Sequence, residues 1–206
     1  MQPAPRPLIS QYPATAKWLH WLAALLLLSV LSAAWGFAFE DAADRASAIP
    51  FHVSIGLALV FLVIAGRAAR RTMATPQPVS AFASFGQAAL SALILLQGVL
   101  GLWMAALSPI DIRFFNGFDL SALGTADADA IARLRRLHFA NACLVTLLLA
   151  GHVTVALWHH FVRRDDALIR MLPFSGLWQR LNAPARAQAW RFPSLTGQNW
   201  PRGRLK

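Results

Sequence analysis

From Leu137 to Val162 the chain holds no Asp, Glu, Lys or Arg, yet this stretch carries four of its six histidines: His138, His152, His159 and His160. An uncharged run of that length reads as a membrane-spanning helix. Ionisable rings inside a span are costly and mark functional positions by default. His138 and His152 are fourteen residues apart. At about 100° per residue that spacing returns to nearly the same face, and at ~1.5 Å per residue it separates the two rings by about 21 Å. One stripe therefore presents an imidazole near each end of the span. Taken alone, the stripe fits two polar residues hydrogen-bonded within a bundle as well as it fits two ligands. What the other apolar runs supply favours ligands.

There are three such runs. Trp18 to Phe39 contains His20, Ala46 to Gly66 contains His52, and Phe82 to Ile110 contains neither charge nor histidine. A secretory leader competes for the first run, because Ser32-Ala33-Ala34 offers small residues after an apolar core. The run is nevertheless long enough to span, and cleavage there would discard His20, so it is read as a helix. Pro50 suits a first helical turn, which places His52 near the start of the second helix. Asp127 or Asp129 is positioned to cap a helix running into the fourth span. The composition agrees, with 57% hydrophobic and 14% charged residues, against about a quarter charged in a soluble domain. The expected fold is an all-α membrane protein, a four-transmembrane-helix bundle. Cys143 is the only cysteine, so no internal disulfide can form and a cysteine metal site is disfavoured. A pI near 11.6 raises the question of nucleic acid. The basic residues flank the spans instead of forming one patch, so membrane topology accounts for them and no nucleic acid is expected.

Four spans put the N-terminus, the connection after Arg67 and the C-terminal tail on one side. Those segments hold fourteen basic residues, and the other side holds five. The excess predicts that the first side, with both termini, is cytoplasmic. Seven of the nine acidic residues fall on the outer side.

Depth sorts the histidines. His20 and His152 lie toward the inner ends of the first and fourth helices, and His52 and His138 toward the outer ends of the second and fourth. Two imidazoles facing each other across a bundle are what bis-histidine haem ligation requires. Zinc would ask for a third or fourth ligand that neither pair is offered. No Cys-x-x-Cys-His occurs, which argues against covalent haem.

Other residues keep two readings each. Gly56, Gly98 and Gly101 suit either the close approach of a flat macrocycle or close helix packing. Trp18, Trp21, Trp35, Trp103 and Trp158 sit near span ends and read as an interfacial belt. His159, two turns beyond His152 on the same face, suits proton exchange with a quinone or contact with headgroups. Arg67, Arg135 and Arg136 suit bidentate pairing with haem propionates. Against that, Arg67 also fits a cytoplasmic anchor, and Arg135 and Arg136 fit a solvated helix face. A basic patch there would also concentrate a small anion.

The sequence resembles the bacterial cytochrome b561 family, the di-haem quinone-linked membrane cytochromes. The resemblance rests on Leu19-His20-Trp21-Leu22, Phe51-His52-Val53-Ser54-Ile55-Gly56, Leu137-His138-Phe139-Ala140-Asn141, Gly151-His152, His159-His160 and Asp166-Ala167-Leu168-Ile169-Arg170-Met171-Leu172-Pro173. It covers roughly residues 12–173. It implies a four-helix di-haem domain over 1–173; the basic tail with Pro and Trp over 174–206, expected in the cytoplasm, has no counterpart in the family pattern. It also implies two non-covalent haems b ligated by His20, His52, His138 and His152, in the bacterial inner membrane. Ubiquinone is the implied acceptor. One member type resembles a superoxide oxidase, delivering electrons from superoxide on the outer side to ubiquinone. Others serve as electron carriers for a dehydrogenase, a hydrogenase or a c-type cytochrome. Both readings stay open, superoxide or a periplasmic redox protein being the donor. Much of Asp111 to Ala132, where a donor would dock, has no counterpart in the family pattern.

Overall fold

The structure, a computed structural model, describes residues 12–37, 39, 41–73, 81–109, 111–165 and 167–173. The expected tail over 174–206 lies outside the described residues. Four helices make the body: α1 (Ala14–Gly36), α2 (Ala42–Thr72), α3 (Ala81–Ala106) and α4 (Ala128–Phe161). Each is long and apolar enough to cross a membrane, as expected.

The helix ends differ from the apolar runs for local chemical reasons. Asp41 Oδ1 accepts hydrogen bonds from the Ala43 and Asp44 N–H groups, both at 2.9 Å, and so starts α2. Pro50 therefore does not occupy a first turn; it lies inside α2. With no N–H of its own, it leaves the Ala46 carbonyl without its helical donor, and His52 sits well into the helix. At the other end α2 continues through Arg67, Arg70 and Arg71 to Thr72, where cations suit the helix dipole. Of the two expected caps for α4, Asp127 does the capping, its Oδ1 accepting the Ala130 N–H at 2.9 Å. Arg133, Arg135 and Arg136 thereby lie on the helix itself.

α1 packs along α2, α2 along α3 and α3 along α4, while the α1 and α4 backbones stay apart. One buried side chain from each helix meets at mid-depth: Leu27, Leu59, Ile94 and Val145. Leu27 is seven residues after His20, Leu59 seven after His52, and Val145 seven from both His138 and His152. Seven residues are about 10 Å of helix, so this apolar layer lies midway between the two histidine depths. A Cβ on Gly98 would collide with the Val60 side chain. That glycine serves close packing of α3 on α2.

The connection between α3 and α4 holds a short antiparallel hairpin, β1 (Arg113–Phe114) with β2 (Phe118–Asp119), and a 3-10 turn at Ser121–Leu123. Phe115 and Asn116 have φ of 45° and 59°. They are the central residues of a turn that the Gly117 N–H closes on the Phe114 carbonyl at 2.9 Å, within a three-residue loop between the paired Phe114 and Phe118; positive φ suits Asn and strains Phe. The buried Ser54 compensates: its hydroxyl donates to the Pro50 carbonyl at 2.8 Å and accepts the Phe115 N–H at 2.9 Å. Ala105, Ile112 and Leu120 form a second buried cluster beneath the hairpin. The hairpin is thus seated on the end of α2 that carries His52.

Candidate functional site

Two pairs of imidazoles face each other between helices. The His20 ring on α1 and the His152 ring on α4 have centroids 6.3 Å apart and planes at 62°. His52 on α2 and His138 on α4 have centroids 6.4 Å apart and planes at 64°. These are the two pairs expected from depth alone, called inner and outer after that expectation. The nearly equal spacing has a chemical meaning. A metal–imidazole bond is about 2 Å, and a ring nitrogen lies roughly 1.1 Å from its centroid, so two rings on opposite sides of one metal ion have centroids about 6 Å apart. Direct hydrogen bonding between the rings would bring them closer than that.

The outer pair carries a second sign. Nδ1 of His52 and Nδ1 of His138 are buried and have no hydrogen-bond partner. A buried polar nitrogen left unpaired costs about 1–3 kcal/mol. Among the described residues no third His, Cys or carboxylate joins either pair. Each pair therefore offers two imidazoles and no further donor, which fits a haem iron and does not fit tetrahedral zinc. Gly101 completes the outer site. A Cβ there would lie 3.2 Å from His138 Cε1, so only glycine leaves that ring its position. Gly56 has an ordinary neighbour instead, with Val30 Cγ2 3.8 Å from where its Cβ would be. Phe37 stacks beside His52 with centroids 5.4 Å apart, and Trp35 meets Phe139 at 6.0 Å.

The sequence offers no ligand on α3, yet α3 reaches the site through an amide. Gln97 on α3 donates from Nε2 to the His138 carbonyl at 3.1 Å. Asn141 donates from Nδ2 to the Leu93 carbonyl at 3.0 Å and to Gln97 Oε1 at 2.6 Å. Asn141 is 5% exposed, so this network is internal and locks the His138 turn of α4 onto α3. The available signal was Asn141, the single amide of the fourth apolar run and one turn after His138, with Gln97 one of two amides in the third run.

His159 lies at the end of α4. Its Nδ1 is 2.5 Å from Asp165 Oδ2. The His159 hydrogen bond, then the Ala167 N–H at 3.0 Å, hold the Asp165 carboxyl below its usual range. The sequence did not single out Asp165. His160 meets the Phe161 ring edge to face, with centroids 4.8 Å apart. Trp21, placed in the interfacial belt, is 38% exposed and donates from Nε1 to the Met171 carbonyl at 2.8 Å, tying α1 to the segment after α4.

The arginines divide by end. Arg67 lines a cleft of about 230 Å³ with Arg70, Arg71, Ser84 and Gln87. The arginine charge felt at His20 is that of Arg70. Arg135 lines a separate cleft of about 420 Å³ with Pro109, Asp127 and Ile131 at the start of α4.

A membrane bundle holding two opposed imidazole pairs at two depths has the framework of a membrane-bound b-type cytochrome. The family model described as prokaryotic cytochrome b561 matches residues 11–174, and the chain belongs to that family. It is 29% identical to cytochrome b561 homolog 2 of Escherichia coli K12 over 172 residues, which cover 79% of this chain and 91% of that protein. It is 34% identical to cytochrome b561 homolog 1 of the same organism over 59 residues. Those cover 29% of this chain and about a third of that protein, at 34%. The protein is a multi-pass membrane cytochrome whose family uses b-type haem for electron transfer.

Proposed function

We propose that His20 with His152, and His52 with His138, hold two non-covalent haems b, and that the protein carries electrons through the membrane to ubiquinone. The observation that carries this is the matched pair of ring separations, 6.3 and 6.4 Å, at two depths of one bundle. A b-type haem, when bound, supplies a one-electron carrier. The chain's own residues set its surroundings. Gln97 and Asn141 fix the backbone at His138, Gly101 leaves its ring room, and the apolar layer of Leu27, Leu59, Ile94 and Val145 keeps water from the space between the pairs. Arg70 is better placed than Arg67 to meet a haem propionate at the His20 end, and Arg135 remains the candidate at the other. His159, oriented by Asp165, is suited to exchange a proton with quinone. The basic excess around the His159 end supports placing that end, and both termini, in the cytoplasm of a bacterial inner membrane.

The donor is superoxide in our first reading, which makes the protein a superoxide:quinone oxidoreductase. A second reading, an electron-carrier subunit docked to a dehydrogenase, hydrogenase or c-type cytochrome, draws on the outer hairpin. There Phe115 and Phe118 are 61% and 60% exposed, and exposed aromatics suit a protein interface. The deciding experiment is a redox titration of the purified protein followed by visible spectra, then a superoxide pulse. Two haems reduced rapidly by superoxide alone support the first reading. Two haems that accept electrons only with a partner protein support the second. One haem per chain overturns the ligand assignment itself.

A further inference from the structure

The ends of α2 and α3 that meet beside residues 67–88 form a cleft with three arginines and no carboxylate. Arg67, Arg70 and Arg71 line it from α2, and Ser84 and Gln87 from α3. No Asp or Glu occurs anywhere between Asp44 and Asp111, so neither helix can supply a counter-charge near the cleft. Among the described residues none of the three arginines forms a salt bridge, and Asp165, the described acid at the end of α4, is engaged by His159. Three guanidinium groups around a concave site repel one another unless an anion joins them. The anion's kind follows from the border of the cleft. Phe85, one residue after Ser84 and three before Ala88 of the lining, is 71% exposed. In a spanning helix such a ring faces acyl chains. A polar, cationic cleft flanked by an exposed aromatic at a span end matches a molecule with a phosphate at one end and hydrocarbon at the other.

We propose that this cleft binds the phosphate headgroup of an anionic phospholipid, with its acyl chains running past Phe85 toward the centre of the span. Arginine forks suit the phosphate oxygens, and the Ser84 hydroxyl and Gln87 amide add neutral hydrogen bonds. The cleft of about 230 Å³ admits a headgroup and not a whole lipid. Arg70 is shared with the haem edge proposed at the His20 end, so the test leaves it in place and substitutes the other two arginines.

The test is native mass spectrometry of the purified, delipidated protein titrated with phosphatidylglycerol or with phosphatidylcholine of the same acyl chains. Wild type should take up one phosphatidylglycerol in preference to phosphatidylcholine. The Arg67→Gln/Arg71→Gln variant should lose that preference by roughly thirtyfold in affinity, two arginines' worth near an anionic surface. Arg163→Gln/Arg164→Gln, removing the same charge at the end of α4, should bind as wild type. Ser84→Ala/Gln87→Ala, with no charge change, should weaken phosphatidylglycerol alone. An equal loss in both arginine variants would reduce the effect to net charge and overturn the site. So would equal binding of the two lipids, or displacement of the lipid by millimolar inorganic phosphate, which would make the cleft a free-anion site. Unchanged visible spectra identify a folded variant. If the arginine double variant fails that check, the serine–glutamine variant decides.

Discussion

His159 Nδ1 lies 2.5 Å from Asp165 Oδ2, so the last histidine on the α4 stripe is held by a carboxylate from the turn that follows its own helix. The bond orients the ring and leaves its other nitrogen for a second partner. The turn is itself fastened, with the Asp165 N–H donating to the His159 carbonyl at 3.1 Å. If His159 exchanges protons with quinone, the carboxylate sets its tautomer and basicity. Asp165→Asn should then slow quinone reduction roughly tenfold to hundredfold while leaving the haem spectra intact. His159→Ala should be slower still, and the double variant no slower than His159→Ala, because the pair acts as a unit. Stopped-flow reoxidation by a soluble quinone measures all three. Loss of a haem band in either single variant, or unchanged reoxidation, would remove the assigned role.

The same bond has a pH signature. The Asp165 carboxyl is depressed below its ordinary value of 3.8 because it accepts from His159 and from the Ala167 N–H. A depressed acid adds stability that is present above its unfolded value and is lost as pH falls through the folded one. The difference in thermal midpoint between wild type and Asp165→Asn should be constant at neutral and mildly acid pH. It should shrink only below about pH 4. A difference that already closes at mildly acid pH would remove the carboxylate as its source.

The ligand pairs make separable expectations. His138 and His152 share a helix but lie about 21 Å apart along it, too far for one iron. His20→Ala and His152→Ala should each remove the same haem, and His52→Ala and His138→Ala the other. Pyridine haemochrome analysis should fall from two haems per chain to one in each case, with the surviving spectrum the same within a pair. If His20→Ala and His152→Ala leave different haems behind, the pairing is wrong, whatever the ring separations are.

Much of this site is legible in the sequence, and the reason is physical. In lipid, charge is excluded and helix is almost the only local structure available. Apolar runs and histidine depths therefore gave the four spans and both pairs. What escaped was specified by single polar contacts. Nothing periodic marks Gln97 as the donor to the His138 carbonyl, or Asp165 as the partner of His159. Pro50 misled, because a first-turn proline is the common case; the stronger cap at Asp41 moved the helix start upstream. The hairpin at Arg113–Asp119 was opaque for another reason. Its turn places Phe115 at positive φ, a conformation its side chain disfavours and the distant Ser54 hydroxyl compensates.

The three glycines read ambiguously from sequence are now distinguishable, and two of them yield opposite expectations. A Cβ on Gly98 meets the Val60 side chain between α3 and α2. Gly98→Ala should therefore overpack a helix contact and cost about 1–3 kcal/mol of stability, with both haem spectra unchanged in whatever fraction folds. A Cβ on Gly101 meets His138 Cε1 at 3.2 Å. The ring can respond by turning about its own side-chain torsions, so Gly101→Ala should cost less stability. It should instead alter one ligand's orientation. The outer haem should then shift its low-spin electron paramagnetic resonance signal or its midpoint potential, and the inner haem should be unaffected. Val60→Ala, which clears the space beside residue 98, should restore the stability of Gly98→Ala and do nothing for Gly101→Ala. If Gly101→Ala perturbs both haems equally, or if Val60→Ala rescues it, the glycine serves packing and the contact with His138 is incidental.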